Sequence, residues 1–162
     1  MELERESELY CRCPRRYAFA IAFGDRFSFA EVPPLRVLIA DDQEPVRRRV
    51  CSTFASRPDF EVCGEASNGQ EAVDKAKELH PDLVILDITM PVMNGLDAAR
   101  VIRECCPATH IVIFSVHRSK HLLQQAQKIG VQGYVTKGEP PQNLLAAADA
   151  VLSNQTFFPS DL

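Results

Sequence analysis

Three aspartates, a serine and a lysine are the residues of this sequence whose types and spacing could do chemistry. Asp41 and Asp42 follow the aliphatic run Leu35–Ala40, Asp87 follows Leu83–Leu86, Ser115 follows His110–Phe114, and Lys137 closes Gly133-Tyr134-Val135-Thr136. A single acid at the end of such a run would mean little, because Asp is a common helix cap and turn former. Three acids, a hydroxyl and an ammonium at four such ends form a set. Carboxylates gathered closely repel one another at neutral pH unless a cation neutralises them, so a divalent ion is expected. All-oxygen donors favour a hard ion, and Mg2+ typically binds through one or two carboxylates, waters and a substrate phosphate. Phosphoryl chemistry suits such a pocket. Asp87, the central carboxylate, is the candidate nucleophile, Lys137 the holder of a phosphoryl oxygen, and Ser115 a donor whose bond exists only while the phosphoryl group is present.

The elements that must position these residues are legible as an alternation. Short aliphatic runs at 35–40, 60–66, 83–86, 110–114 and 133–135 read as strands. Between them Val46, Val50 and Phe54, then Ala72, Ala76 and Leu79, then Ala98, Val101 and Ile102 recur at helical spacing. A fourth helix is expected over Lys120–Ile129, stopped by Gly130, and a fifth after Pro140-Pro141, carrying Leu144, Leu145, Ala148, Val151 and Leu152. Strict alternation with right-handed crossovers implies an α/β fold, a doubly wound five-stranded parallel sheet of order 2-1-3-4-5. In that order the first and third strands are neighbours. Ligands of such sheets bind at the carboxyl edge, where the residues after those two strands meet.

Residues 1–34 differ in composition and hold Tyr10, Tyr17, Phe19, Phe23, Phe27 and Phe29, half of all the aromatics. Alternation on both sides of Gly24-Asp25 fits a β-hairpin, but a lone hairpin is marginal in water and a poorly ordered extension is preferred. The expected organisation is an extension over 1–34, a domain over 35–155 and a linker or tail over 156–162.

Composition bounds the rest. With 162 residues, 46% hydrophobic and 25% charged, the chain can bury a core without staples. Its net charge of -4 offers no basic footprint, so direct binding to nucleic acid is not expected. No apolar run is long enough to span a bilayer, and Tyr17–Gly24 is short for a signal-peptide core. Of the six cysteines, Cys51, Cys63, Cys105 and Cys106 fall within expected core elements, which suits a reducing cytoplasm. Cys11 and Cys13 form a lone C-x-C, read as ordinary thiols rather than a zinc site. Adjacent Cys105 and Cys106 are read as packing or surface residues, not a disulfide or redox pair.

Taken together and in order, Val37-Leu38-Ile39-Ala40-Asp41-Asp42, Asp82–Pro91 with Asn94-Gly95, Ile113-Phe114-Ser115 and Gly133–Lys137 make the chain resemble a response-regulator receiver domain of two-component signalling, over roughly 35–159. It looks most like receivers that precede a helix-turn-helix DNA-binding domain. The resemblance implies a flavodoxin-like fold and a phospho-acceptor at Asp87 served by a sensor histidine kinase. It also implies a Mg2+ pocket of Asp41, Asp42, Asp87 and the main-chain carbonyl of Thr89, a lysine at Lys137, and a switch formed by Ser115 and Tyr134. Pro91 and Gly95 match turn positions. Phosphorylation would repack a face over 119–152 that serves a homodimer or partner, with transcriptional output through a missing or separate domain. His117 lies where relatives vary and carries no catalytic assignment. Two further readings remain: a Mg2+-dependent phosphohydrolase of haloacid-dehalogenase type, which would place a second acid where Thr89 stands, and a degenerate receiver that binds without phosphorylation.

Overall fold

Period-two alternation decides how the strands distribute their side chains. In the computed structural model, which describes residues 17–23 and 26–160, Leu38, Ala40, Val84, Leu86, Ile111, Ile113 and Tyr134 project to one side of a sheet and Val37, Ile39, Leu83, Ile85, Val112 and Val135 to the other. The sheet comprises β3 (Leu35–Ala40), β4 (Phe60–Ala66), β5 (Leu83–Leu86), β6 (His110–Ser115) and β7 (Gly133–Thr136). All neighbouring pairs are parallel and the order is β4-β3-β5-β6-β7, the expected 2-1-3-4-5.

Helices cover both faces because both are apolar. The first face packs on α2 (Gly69–Leu79), α3 (Gly95–Cys105) and α4 (Lys120–Ile129), and the second on α1 (Glu44–Ala55) and α5 (Pro141–Leu152). The last helix begins at Pro141 itself, where the missing N–H would be unpaired in any case. Beyond α5 the chain returns to the open side of β7: Tyr134 N–H donates to the Phe157 carbonyl at 2.7 Å and Phe157 N–H to that of Gln132 at 2.9 Å. Residues expected to be tail therefore pair with the sheet edge.

The chain separates into two compact units, Met1–Pro33 and Pro34–Leu162. In the first, β1 (Tyr17–Phe23) and β2 (Arg26–Glu31) pair antiparallel, with Phe23 opposite Arg26. The Gly24-Asp25 turn and the Cys11/Cys13 pair lie outside the described residues.

Capping sets where α2 starts. Asn68 Oδ1 accepts the Glu71 N–H at 2.8 Å, while the Glu71 carboxylate accepts from the Ser67 N–H at 2.8 Å and from Lys75 Nζ at 2.7 Å. Lys75 first, then the Ser67 N–H, hold the Glu71 carboxyl down from about 4.5 to about 2. Because the folded value is depressed, the stabilisation is complete above about pH 4.5 and is lost as pH falls through about 2. Glu71→Gln should therefore be less stable than the parent at pH 7, and urea midpoints should converge between pH 4.5 and 2. A gap that stays constant over that interval would contradict the assignment.

Candidate functional site

The loop ends of β3 and β5 become neighbours because those strands pair in register from Val37–Leu83 to Ala40–Leu86. The Asp87 N–H then donates to the Ala40 carbonyl at 2.9 Å, which fixes the first residue after β5 against the end of β3. Asp41 and Asp87 are buried, at 2% and 3% exposure, and Asp42 is exposed. One carboxylate oxygen from each lies within 4.8 Å of the others.

Lys137 closes the group. Its Nζ is 2.6 Å from Asp41 Oδ2 and 3.3 Å from Asp87 Oδ2. The backbone brings it there, since Lys137 N–H donates to the Ser115 carbonyl at 2.9 Å just beyond the β6–β7 pairing. Asp41 Oδ1 accepts the Gln43 N–H at 2.9 Å, whereas Asp87 Oδ1 is buried and has no hydrogen-bond partner. Asp41 Oδ2 is ion-paired with the Lys137 ammonium at 2.6 Å and accepts no hydrogen bond. Burial pushes the Asp87 carboxyl up, Lys137 draws it down, and the Asp41 charge pushes it up again. One ammonium against three carboxylates leaves the pocket net negative, and uncommitted hard oxygens suit a hard cation.

Ser115 is fully buried and is the last residue of β6, paired with Thr136, rather than the first residue past the strand. The sheet continues one residue further because Thr136 also extends β7. Ser115 Oγ accepts the His117 N–H at 3.2 Å. Tyr134 lies wholly within the core on the α3/α4 side, and its hydroxyl donates to the His117 carbonyl. Burial raises the Tyr134 hydroxyl above its ordinary value, with Ser115 opposing and Asp87 reinforcing. His117 thus bridges the two through its main chain while its side chain is exposed. Sequence reasoning missed this, because a backbone bridge leaves no trace in residue type.

Thr89 sits exposed on the loop leaving Asp87. Within that loop the Met93 N–H donates to the Pro91 carbonyl at 2.7 Å, a three-residue γ-turn with Val92 at φ 68°. A β-branched residue in the left-handed region is strained by roughly 1–2 kcal/mol. Val92 is 84% exposed, so it recovers nothing by packing. Val92→Gly should raise stability by about 0.5–1 kcal/mol after the entropy cost of glycine, read from urea denaturation. A fall in stability would refute the strain.

Gly95 is not a turn residue. It opens α3, and a Cβ there would lie 1.8 Å from the Asp87 carbonyl oxygen. Gly69 opens α2 under a similar constraint, 2.2 Å from the Met93 carbonyl oxygen. Both glycines let helix starts press on the site loop, and the second escaped the sequence reading altogether.

A doubly wound parallel sheet whose switch point holds three carboxylates and a partly buried lysine defines an α/β protein with an acidic pocket at its carboxyl edge. The chain belongs to the response regulator receiver domain family, whose pattern it matches over residues 37–149. The nitrate/nitrite response regulator protein NarL of Escherichia coli (strain K12) is 39% identical over 126 residues, covering 74% of this chain and 58% of NarL. The chain thus spans about three-fifths of the length of that curated relative. Among solved structures, a LuxR-family two-component response regulator from Aurantimonas sp. SI85-9A1 superposes with a TM-score of 0.75 at 33% identity, covering 79% of this chain and 91% of that one. A CheX-CheY-BeF3-Mg complex from Borrelia burgdorferi gives 0.70 at 28% identity, covering 74% and 90%. Among the described residues no helix is long and apolar enough to cross a membrane.

Proposed function

We propose that this domain is a phospho-acceptor that takes a phosphoryl group on Asp87 from a sensor histidine kinase in the cytoplasm. The observation that carries this reading is the buried Asp87 carboxylate, whose Oδ1 is uncommitted while its Oδ2 faces Lys137 at 3.3 Å. A carboxylate oxygen of Asp87 forms the new O–P bond as the P–N bond of the phosphohistidine breaks, and the imidazole leaves. Asp41, Asp42, Asp87 and the Thr89 carbonyl would hold Mg2+, which when bound supplies positive charge against the phosphoryl oxygens. Lys137 exchanges its carboxylate contact for a phosphoryl oxygen. Ser115 Oγ, now accepting from the His117 N–H, donates to another. Drawing Ser115 inward reaches Tyr134 through the shared His117 main chain.

Thr89, where a phosphohydrolase of the aspartate type would carry an acid, supports storage of the phosphoryl group rather than turnover. Incubation with acetyl phosphate and Mg2+ tests the reading: intact mass should gain one phosphoryl group, mapped to the peptide containing Asp87. No adduct would favour a receiver that works without phosphorylation, and continuous phosphate release at enzymatic rates would favour a hydrolase.

The signal is proposed to leave through α4, β7 and α5, residues 119–152, by homodimerisation or partner docking, with transcriptional regulation as output. Beryllofluoride with Mg2+ should shift NMR resonances across that face and increase self-association in sedimentation. Unchanged shifts there, with beryllofluoride demonstrably bound, would sink this part of the reading.

A further inference from the structure

Away from the acidic pocket, the C-terminal end of α3 carries two adjacent thiols. Cys105, on α3 and read from the sequence as a packing or surface residue, is exposed, whereas Cys106 is 6% exposed and packs in the core on the α2/α3/α4 side. Their Sγ atoms are 3.6 Å apart. The turn that follows is held by Cys106 N–H to the Ile102 carbonyl at 2.7 Å and Thr109 N–H to the Cys106 carbonyl at 3.0 Å. Both sulfurs are free thiols.

The separation discriminates between chemistries. A disulfide requires about 2.0 Å between sulfurs and usually about 4.4–6.8 Å between Cα atoms, whereas adjacent residues across a trans peptide have Cα atoms only about 3.8 Å apart. Closing the pair directly would therefore strain it. Two thiolates sharing one soft centre through bonds of about 2.3 Å sit about 3.3 Å apart at a right angle and about 3.8 Å apart at the tetrahedral angle. The observed 3.6 Å falls within that interval. No third His, Cys, Asp or Glu completes a cluster with the two thiols among the described residues, so the centre must be satisfied by two protein sulfurs. Soft thiolate ligands select soft, thiophilic centres.

We propose that Cys105 and Cys106 form a bidentate site for trivalent arsenic compounds. A monosubstituted arsenic(III) oxide needs two thiolates and nothing else from the protein. Exposed Cys105 forms the first As–S bond, which sets the arsenic beside the Cys106 sulfur, and closure forms the second. The As=O bond of the oxide is replaced by the two As–S bonds, both thiol protons leave with its oxygen as one water, and neither sulfur nor arsenic changes oxidation state.

Phenylarsine oxide is the probe, applied to the full chain carrying Cys11→Ser and Cys13→Ser so that the N-terminal C-x-C cannot compete. Intact mass should show one phenylarsenic group per chain that survives excess 2-mercaptoethanol and is stripped by 2,3-dimercaptopropanol. Cys105→Ser, an exposed change that leaves the core intact, should reduce monothiol-resistant adduct from one per chain to none. Retention in Cys105→Ser would overturn the site. So would an adduct removed by monothiol alone, or a parent chain that instead loses two hydrogens across Cys105-Cys106 under mild peroxide and captures no arsenical.

Discussion

Asp87→Asn is expected to abolish uptake of a phosphoryl group from acetyl phosphate and, in the absence of metal, to make the fold more stable. The first effect follows from chemistry, since a carboxamide has no anionic oxygen to form the acyl phosphate. The second follows from charge. Asp41, Asp42 and Asp87 gather within 4.8 Å against a single, partly buried ammonium, and burial already pushes the Asp87 carboxyl toward its neutral form. Removing one of the three leaves Lys137 paired with Asp41 at 2.6 Å and relieves repulsion between the two buried acids. The gain should be on the order of 0.5–2 kcal/mol, the usual size for a substitution that relieves an unfavourable local charge arrangement. Intact mass spectrometry reads the first effect and urea denaturation without Mg2+ the second. A phosphoryl adduct on the variant would move the acceptor elsewhere, and a loss of stability would mean that Asp87 contributes more as an ion-pair partner than it costs as a crowded charge.

Gly95→Ala should lose about 3 kcal/mol and impair phosphoryl uptake together. At an ordinary helix position the same change gains up to about 1 kcal/mol. Here the new Cβ would lie 1.8 Å from the Asp87 carbonyl oxygen and 2.9 Å from the Ile88 Cα, both backbone atoms that cannot rotate away. Either α3 lifts from the loop or the strand end that carries Asp87 shifts, and overpacking of this kind costs roughly 1–3 kcal/mol even when side chains can adjust. Gly138 is the internal control, because nothing lies within 4 Å of a Cβ built there. Urea midpoints and the rate of adduct formation, measured for both variants, check the expectation. Gly95→Ala at parental stability would show that the helix start has freedom the packing denies.

The amino-acid sequence determined the architecture and the cast of the site. Aliphatic runs alternating with helical spacing could bury both sheet faces only as a doubly wound sheet, and the strand-end positions of Asp41, Asp42, Asp87 and Lys137 then required them to meet. Those are consequences of side-chain type and period, which the sequence carries directly. What it could not carry is backbone geometry set by packing. Ser115 belongs to β6 because a neighbouring strand extends to Thr136; His117 joins Ser115 to Tyr134 through main-chain atoms; Gly69 and Gly95 matter because carbonyls press where a Cβ would be. The pairing of Phe157 with β7, and the unequal exposure of two adjacent cysteines, likewise depend on which face and edge the folded sheet leaves open. A residue's identity fixes its chemistry, but the ångström-scale approach of one main chain to another exists only once the elements have packed.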